Sequence, residues 1–229
     1  MDYNMLSKPL NRYFDHTLLK PDATEAQILE LCREALAWDF YSVCVNPCYV
    51  SAAAEALRDS PVKTACVCGF PLGATDTASK VFEAVSACKA GASEIDMVMN
   101  VGMLKSGNFS CVAADIKAVT AGVSPYGAIV KVILETCLLT DDEVVKACQI
   151  SKDSGAAFVK TSTGFGSSGA TAHHVKLMRN TVGQALQVKA SGGIRDLAAV
   201  MEMIEAGADR IGASASVSIM EEYKRSLEK

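Results

Sequence analysis

The chain has 229 residues, of which 50% are hydrophobic and 21% charged, and its formal net charge is −4. This length fits a single domain with a sizeable core, and α/β barrels in this size range form one domain. Every apolar run is broken well short of the ~20 residues that span a bilayer, and the acidic balance with scattered basic residues argues against membrane and nucleic acid as partners.

The N-terminal segment and the cysteines both favour a cytoplasmic protein. The segment MDYNMLSKPL has an early acidic residue and neither an apolar core nor a small-residue cleavage site, so it does not read as a secretory signal. The chain has nine cysteines, an odd number that does not suit a full disulfide framework. We therefore expect reduced thiols and a cytoplasmic location.

Short segments rich in β-branched and aromatic residues recur along the chain and predict eight strands. The predicted strands are 14–19, 41–46, 63–70, 94–100, 128–135, 158–163, 187–193 and 210–214. Between them, apolar residues at i, i+3 and i+4 predict helices. The clearest predicted helices are 24–38, 77–90, 140–154 and 195–206.

Residues typical of helix ends flank these segments. A Thr or Asp side chain at an N-cap accepts a hydrogen bond from the first turn. The expected N-caps are Thr24, Thr75, Thr140 and Asp196. A glycine that follows the last turn adopts the left-handed conformation that ends many helices. The expected glycines of this kind are Gly91, Gly155 and Gly207.

Strict alternation of strands and helices favours parallel strand pairing. Eight such units in a chain of this length predict an α/β fold, a single-domain (β/α)8 TIM barrel. An open doubly wound sheet is the structural alternative. No Pro/Gly/Ser-rich linker or charge block divides the chain, so residues 1–229 are expected to form one domain.

Several predicted strands carry charged residues where apolar ones are expected. Side chains alternate along a strand, so Lys160 shares a face with Phe158 and Ser162. The same alternation pairs Lys189 with Ser191, Asp96 with Asn100, and Lys131 with Ile133 and Glu135. Structural ion pairs at the barrel mouth would explain any one of these charges. Their number favours a functional site, since a barrel interior has few polar positions to fill.

The two lysines on neighbouring strands indicate amine chemistry. A free lysine has a pKa near ~10.4, so the neutral amine is rare at neutral pH. Burial and a second ammonium both disfavour the charged form, and a lysine tuned in this way attacks a carbonyl to form a Schiff base. Lys160 is the candidate nucleophile, Lys189 its neighbour, and Asp96 a candidate for proton transfer or for balancing an ammonium.

The last part of the barrel is suited to an anion. No Asp or Glu lies between Asp153 and Asp196, whereas five basic residues do. The turns SGGIRD and GASAS follow the last two predicted strands, where TIM barrels often bind phosphate through backbone N–H groups. We therefore expect a phosphate group at this end of the site.

The sequence disfavours a dinucleotide-binding site and a metal site. The segment GFGSSG, Gly164 to Gly169, matches the dinucleotide motif G-x-G-x-x-G, but the acidic residue that should follow about 20 positions later is missing, since Lys189 stands there. The cysteine spacings do not form paired C-x₂-C ligands. His173 and His174 adjoin at a helix start and are expected to point in different directions, so no metal site is predicted.

The strand and loop motifs together resemble those of the deoxyribose-phosphate aldolase family across nearly the whole chain. The motifs are FDHTLLKPDAT, VCVNP, GFPLG, EIDMVMNVG, KVILET, FVKTSTGFG, VKASGGIRD and RIGASAS. The resemblance implies a class I, metal-free aldolase on a TIM barrel that needs no cofactor. It also implies interconversion of 2-deoxy-D-ribose 5-phosphate with acetaldehyde and D-glyceraldehyde 3-phosphate.

Motif by motif, the resemblance assigns roles to individual residues. Lys160 takes the role of the Schiff-base lysine, Lys189 that of the lysine that perturbs its pKa and carries protons, and Asp96 that of a proton donor and acceptor. The implied substrate-binding residues are Asp15, Thr17, Lys131, Gly164, Gly192, Gly193, Gly212 and Ser214. Phe165 stands where some relatives have a lysine, which removes one cation from the phosphate site.

The implied partners are small phosphosugars and aldehydes, with a homo-oligomer, either dimer or tetramer, as the assembly. Two other functions stay open. A phosphosugar isomerase or synthase on the same barrel would share the phosphate turns without a Schiff base. A silent sugar-phosphate binding protein would bind without turnover.

Overall fold

The computed structural model describes residues 6–228 and contains eight strands and nine α-helices in strict alternation along most of the chain. The strands are β1 Phe14–Leu18, β2 Ser42–Val45, β3 Lys63–Cys68, β4 Glu94–Val98, β5 Ile129–Ile133, β6 Phe158–Lys160, β7 Gln187–Ser191 and β8 Arg210–Ala213. The helices are α1 Glu25–Ala37, α2 Val50–Ala56, α3 Thr77–Lys89, α4 Val101–Lys105, α5 Phe109–Val123, α6 Asp141–Asp153, α7 Ala172–Val182, α8 Leu197–Glu205 and α9 Ser216–Leu227.

The eight strands form one closed parallel barrel. Each strand pairs with the next along the chain, and β8 pairs with β1 to close the ring. The predicted (β/α)8 barrel is therefore confirmed, and the open doubly wound sheet is wrong. All eight predicted strands are present, each within a few residues of its expected bounds.

Most of the predicted helix ends are confirmed. Gly91, Gly155 and Gly207 each have positive φ directly after a helix, with values of 111°, 82° and 109°. The side chains of Thr24, Thr140 and Asp196 each accept a hydrogen bond from the first turn of the helix that follows, as expected.

Two predictions near helix starts are wrong. The N-cap of α3 is Asp76 and not Thr75, because the helix begins at Thr77 and the Asp76 carboxylate accepts a hydrogen bond from the Ser79 N–H. Asn100 was expected to share an interior face with Asp96. It lies beyond the end of β4, where its side chain caps α4.

The apolar core lies mainly between the barrel and its helices. Outward-facing strand residues such as Val43, Ile95, Val159 and Val188 are completely buried against this helical layer. A much smaller apolar cluster consists of Leu19, Cys44, Ala65 and Val67. Much of the interior is left to charged groups, which sets the position of the site described below.

All nine cysteines lie within the described residues, and each is a free thiol. Within residues 6–228, no helix combines the length and the apolar composition needed to cross a membrane.

Candidate active site

The two lysines singled out by the sequence stand side by side inside the barrel. Lys160 is the last residue of β6, and its Cα is the register partner of the Lys189 Cα on β7. Both side chains are buried, with 2% and 0% of the residue exposed. The alternation of side chains along parallel strands brings them to the same interior level.

The carboxylate of Asp96, on β4, connects three amines. Its Oδ2 accepts hydrogen bonds from the Nζ of Lys160 at 2.8 Å and the Nζ of Lys189 at 2.7 Å. Its Oδ1 accepts one from the Nζ of Lys131, on β5, at 2.7 Å. Because Asp96 has no solvent exposure, these hydrogen bonds form in a medium of low polarity, where charge-assisted contacts are strong.

A second set of charges lies closer to the N-terminal ends of the strands. The Arg210 guanidinium on β8 donates to Asp15 Oδ1 and, at 2.8 Å, to Glu94 Oε2. The Nζ of Lys189 lies 2.5 Å from Asp15 Oδ2, and the Nζ of Lys131 lies 2.6 Å from Glu94 Oε2. One continuous network of ion pairs therefore fills the lower barrel interior.

Glu94 and Arg210 were missed as site residues in the sequence analysis, although a signal for both is present. Glu94 stands two residues before Asp96, and Arg210 stands two residues before Gly212. Side chains two apart on a strand share a face, so the alternation that identified Asp96 also places these two residues in the interior.

The charge count of this network indicates that one amine is neutral. The cationic side chains are Lys131, Lys160, Lys189 and Arg210, and the anionic ones are Asp15, Glu94 and Asp96. Four cations against three anions leave one excess positive charge in a buried region. An unbalanced buried charge is unfavourable, and the network becomes neutral if one lysine loses its proton.

The surroundings of the three lysines identify which one is poised to lose that proton. Burial lowers the pKa of Lys160, the Asp96 carboxylate opposes this effect, and the Lys189 ammonium lowers the pKa further. Burial would also lower the pKa of Lys189, but the carboxylates of Asp15 and Asp96 outweigh it and raise that pKa. The pKa of Lys131 is raised in the same way by the carboxylates of Asp96 and Glu94.

The carboxylate at the centre of the network stays ionised. Burial alone would raise the pKa of Asp96, but the ammonium groups of Lys131, Lys160 and Lys189 hold it well below its ordinary value. The same opposition of burial by Arg210, Lys189 and Lys131 lowers the pKa of Asp15. Lys160 is thus the amine best suited to act as a neutral nucleophile, held by an anionic partner.

A cavity of about 390 Å³ opens at the C-terminal ends of the strands. It is lined by Lys160 and by four segments, 17–20, 163–165, 191–195 and 212–214. Of the seven charged residues in the network, Lys160 is the one that lines this cavity. The Lys160 amine therefore forms part of the floor, and the other charges of the network lie behind it.

Most of the predicted substrate-binding residues line this cavity. Those that do are Thr17, Gly164, Gly192, Gly193, Gly212 and Ser214. Asp15 and Lys131 do not line it, contrary to expectation. Each is fully buried in the ion-pair network, because Asp15 lies two residues below Thr17 on β1 and Lys131 pairs with Phe158, two residues below Lys160.

The rim of the cavity beside β7 and β8 combines cations with closely packed backbone. Lys20 and Arg195 both line it, and Lys20 was not anticipated from the sequence. The Ala170 N–H donates to the carbonyl oxygens of Ser191 and Gly192 at 3.1 and 3.0 Å, which fixes the glycine turn after β7. This rim offers the cations and turned backbone that an anion requires.

A larger depression of about 850 Å³ lies elsewhere, between the β3 loop and α3. Its lining is mostly apolar and includes Phe70, Leu72 and Phe82, with Glu83 as its single charged residue. None of the network lysines contacts it. The smaller cavity is therefore the candidate active site, because it joins an amine of lowered pKa to a rim of cations and turned backbone.

Comparison with known proteins agrees with this site. Residues 11–221 match the family described as DeoC/LacD family aldolase. The chain belongs to the DeoC/LacD aldolase family. Aldolases of this kind need an electrophilic or amine group at the reacting carbonyl, and in this family member the buried Lys160 amine lies at the floor of the cavity.

Relatives of this family member are similar over nearly their full length. The deoxyribose-phosphate aldolase of Thermoanaerobacter pseudethanolicus is 58% identical over 215 residues, which cover 93% of this chain and 96% of that protein. A solved structure of a putative deoxyribose-phosphate aldolase from Coccidioides immitis is 45% identical with a TM-score of 0.91, over 93% of this chain and 85% of that one. A structure from Aeropyrum pernix, described as a unique tetrameric deoxyribose phosphate aldolase, is 35% identical with a TM-score of 0.87, over 93% and 89%.

The other motifs have structural explanations in this aldolase. GFGSSG lies in a loop of a closed barrel, whereas the dinucleotide fingerprint belongs to an open sheet. His173 and His174 were expected to point in different directions, and this expectation is wrong. Both approach the exposed carboxylate of Asp141, at 2.8 and 3.9 Å from its oxygens, and none of the three residues lines the cavity. The buried His16 contacts the partly exposed carboxylate of Glu34 at 2.7 Å in a structural pair.

Proposed function

We propose that this protein is a class I aldolase that reversibly cleaves 2-deoxy-D-ribose 5-phosphate to acetaldehyde and D-glyceraldehyde 3-phosphate through a Schiff base on Lys160. The observation that carries the proposal is the buried Lys160 amine at the floor of the cavity, which belongs to a network of four basic and three acidic side chains. Relatives named deoxyribose-phosphate aldolase at up to 58% identity support the substrate.

The reaction follows from ordinary amine chemistry at this position. The neutral Lys160 amine attacks the C1 aldehyde of the open-chain sugar, and the resulting carbinolamine takes up one proton and loses water to give an iminium ion. Removal of the proton from the C3 hydroxyl breaks the C2–C3 bond, releases D-glyceraldehyde 3-phosphate, and leaves an enamine. Protonation of C2 and hydrolysis then release acetaldehyde and restore the Lys160 amine.

The network supplies an electrostatic reason for Lys189 to carry protons. With Lys160 neutral, the network is balanced, and Asp15 and Asp96 hold the Lys189 proton firmly. When the iminium ion forms on Lys160, the network again carries one excess positive charge. This charge weakens the hold on the Lys189 proton, so that Lys189 gives it up, accepts the proton that the C3 hydroxyl releases on cleavage, and returns it to C2 of the neutral enamine. Asp96 remains ionised and positions both amines.

The rim beside β7 and β8 is the proposed phosphate site. Gly164, Gly192, Gly193, Gly212 and Ser214 lie there, and Lys20 and Arg195 provide cations in place of the lysine that Phe165 replaces. Helix α9 starts directly after this rim without a side-chain N-cap, which leaves its first N–H groups available for an anion. Lys160 and this rim would hold opposite ends of one linear sugar phosphate.

Borohydride trapping tests the proposal. Incubation with acetaldehyde and borohydride should attach one covalent adduct to Lys160, located by mass spectrometry, and inactivate the enzyme. Lys160→Ala should remove both the adduct and the coupled release of glyceraldehyde 3-phosphate. Trapping that survives this substitution would refute the role of Lys160. Phosphate binding without trapping would favour an isomerase or a binding protein instead.

Domain extent and assembly are also proposals. We infer that residues 1–229 act as one aldolase domain, supported by the family match over 11–221 and by the closed barrel. A homo-oligomer is supported by the Aeropyrum pernix relative that is described as tetrameric. Light scattering coupled to gel filtration would measure the assembly, and a monomeric mass would contradict it. A cytoplasmic location stays a prediction.

A further inference from the structure

Glu135 lies two residues beyond the end of β5 and has an unusual backbone conformation. Its φ and ψ are 55° and 62°, in the left-handed region, where within residues 6–228 only one other non-glycine residue, Asp39, has positive φ. Left-handed backbone is unfavourable for a residue with a Cβ and persists only where surrounding contacts determine it. Glu135 is also buried, with 5% of the residue exposed.

The carboxylate of Glu135 binds the start of the loop between β6 and α7. Its Oε1 accepts a hydrogen bond from the Thr163 N–H at 3.3 Å, and its Oε2 accepts one from the Thr163 hydroxyl. The Thr163 Oγ1 in turn accepts a hydrogen bond from the Phe165 N–H at 3.0 Å. One carboxylate therefore fixes the backbone of three consecutive residues.

The same loop is packed against Glu135 one residue further on. A Cβ at Gly166 would lie 2.8 Å from the Cys137 Sγ and 3.3 Å from the Glu135 carboxyl group. The loop therefore approaches the end of β5 as closely as a glycine allows. This contact is independent of the hydrogen bonds and fixes the position of the turn from its other side.

The fixed turn forms one wall of the candidate active site. Thr163, Gly164 and Phe165 all line the cavity. The N–H groups of Thr163 and Phe165 are engaged by the contacts with Glu135 and Thr163, whereas the Gly164 N–H between them has no hydrogen-bond partner within the described residues. Of the three residues of the turn that line the cavity, Gly164 is thus the one with an unpartnered backbone donor within the described residues.

We propose that Glu135 is a positioning residue that sets the turn 163–166 so that the Gly164 N–H can bind the phosphate group of the substrate. This inference rests on the proposed function, because it concerns one end of the same substrate. Charge repulsion alone would make phosphate binding stronger once the negative charge of Glu135 is removed. The positioning role predicts the opposite: removing this charge should weaken phosphate binding, because both carboxylate oxygens are needed to hold Thr163.

The test compares phosphorylated and unphosphorylated substrates in Glu135→Gln. The substitution keeps the shape of the side chain but replaces one acceptor oxygen by an NH₂ group. The KM for 2-deoxyribose 5-phosphate should rise about tenfold, as expected for loss of one charge-assisted hydrogen bond, with kcat changed by less than about threefold. The kcat/KM for 2-deoxyribose should stay within about threefold of the parent, because that substrate lacks the phosphate.

Two further variants keep the result interpretable. Thr163→Val removes the hydroxyl with little change in shape and should reproduce the rise in KM, which preserves the test if Glu135→Gln folds poorly. Glu143→Gln is the matched control, since Glu143 caps α6 outside the cavity and its replacement should leave the KM unchanged. Borohydride trapping with acetaldehyde should proceed at the parent rate in all three variants.

Binding of inorganic phosphate, measured by calorimetry, separates this inference from the proposed reaction. If the parent protein binds phosphate but does not cleave the sugar, the reaction is wrong, and a Kd raised about tenfold by Glu135→Gln still supports the positioning role. An unchanged or lower KM and Kd in Glu135→Gln would overturn that role. Lower values would indicate that the Glu135 carboxylate simply repels the phosphate. Equal losses on both sugars would overturn it as well, since they indicate general damage to the site.

Discussion

Replacement of Lys189 by methionine tests the charge balance of the barrel interior. The ammonium nitrogens of Lys160 and Lys189 both lie within 2.8 Å of Asp96 Oδ2, so they are at most about 5.6 Å apart. At that separation two unit charges repel by about 3 kcal/mol with an effective dielectric constant of about 20. Lys189→Met removes this repulsion and should therefore raise the pKa of Lys160.

The expected result is a displaced pH profile. Because the nucleophile must be neutral, a higher Lys160 pKa lowers the rate at neutral pH by up to about 100-fold and restores part of it as the pH rises. Initial rates of glyceraldehyde 3-phosphate release from deoxyribose 5-phosphate, measured from pH 6 to 10 with circular dichroism as the check on folding, would show this. A profile that is scaled down without moving would refute the electrostatic role and leave Lys189 with proton transfer alone.

Three other predictions concern a close backbone contact in the site, a helix N-cap and a buried ion pair. Gly169→Ala places a Cβ 2.0 Å from the Gly192 carbonyl oxygen, so the KM for deoxyribose 5-phosphate should rise at least about tenfold, and an unchanged KM would contradict this close approach. Asp76→Ala should lower the free energy of unfolding in urea, whereas Thr75→Ala should leave it nearly unchanged, and equal effects would contradict the N-cap assignment. Lys80→Met leaves its buried carboxylate partner unpaired and should cost about 3–5 kcal/mol in the same measurement, and a loss below about 1 kcal/mol would mean that the pair contributes little.

Strand periodicity made most of the barrel readable from the sequence. Lys160, Lys189 and Asp96 were found because each interrupts an apolar strand, and alternation of side chains turned them to one interior. The depth of each residue could not be read in the same way. Asp15 and Lys131 share the interior but lie below the cavity, and this depends on the stagger between neighbouring strands, which alternation within one strand does not reveal.

Contacts between loops were the least predictable part of the site. Glu135 was assigned to the same interior face as Lys131, but its left-handed backbone turns the carboxylate toward Thr163 instead. Neither a glutamate in this conformation nor a contact across 28 positions has a local sequence signal. Lys20 was missed for a similar reason, because it reaches the cavity only once closure of the barrel brings β1 beside β8.

The charged residues of the site lie on strands, whereas the rim of the cavity lies mostly in loops, so the two parts of this enzyme can evolve separately. The lysines and the carboxylate that binds them are fixed by the hydrogen-bonded ladder of the barrel. Residues 163–165, 192–195 and 212–214 belong largely to connecting segments. Loops accept substitutions and insertions far more readily than barrel strands. Selection can therefore exchange the group recognised at the far end of the substrate while the carbonyl chemistry is inherited intact.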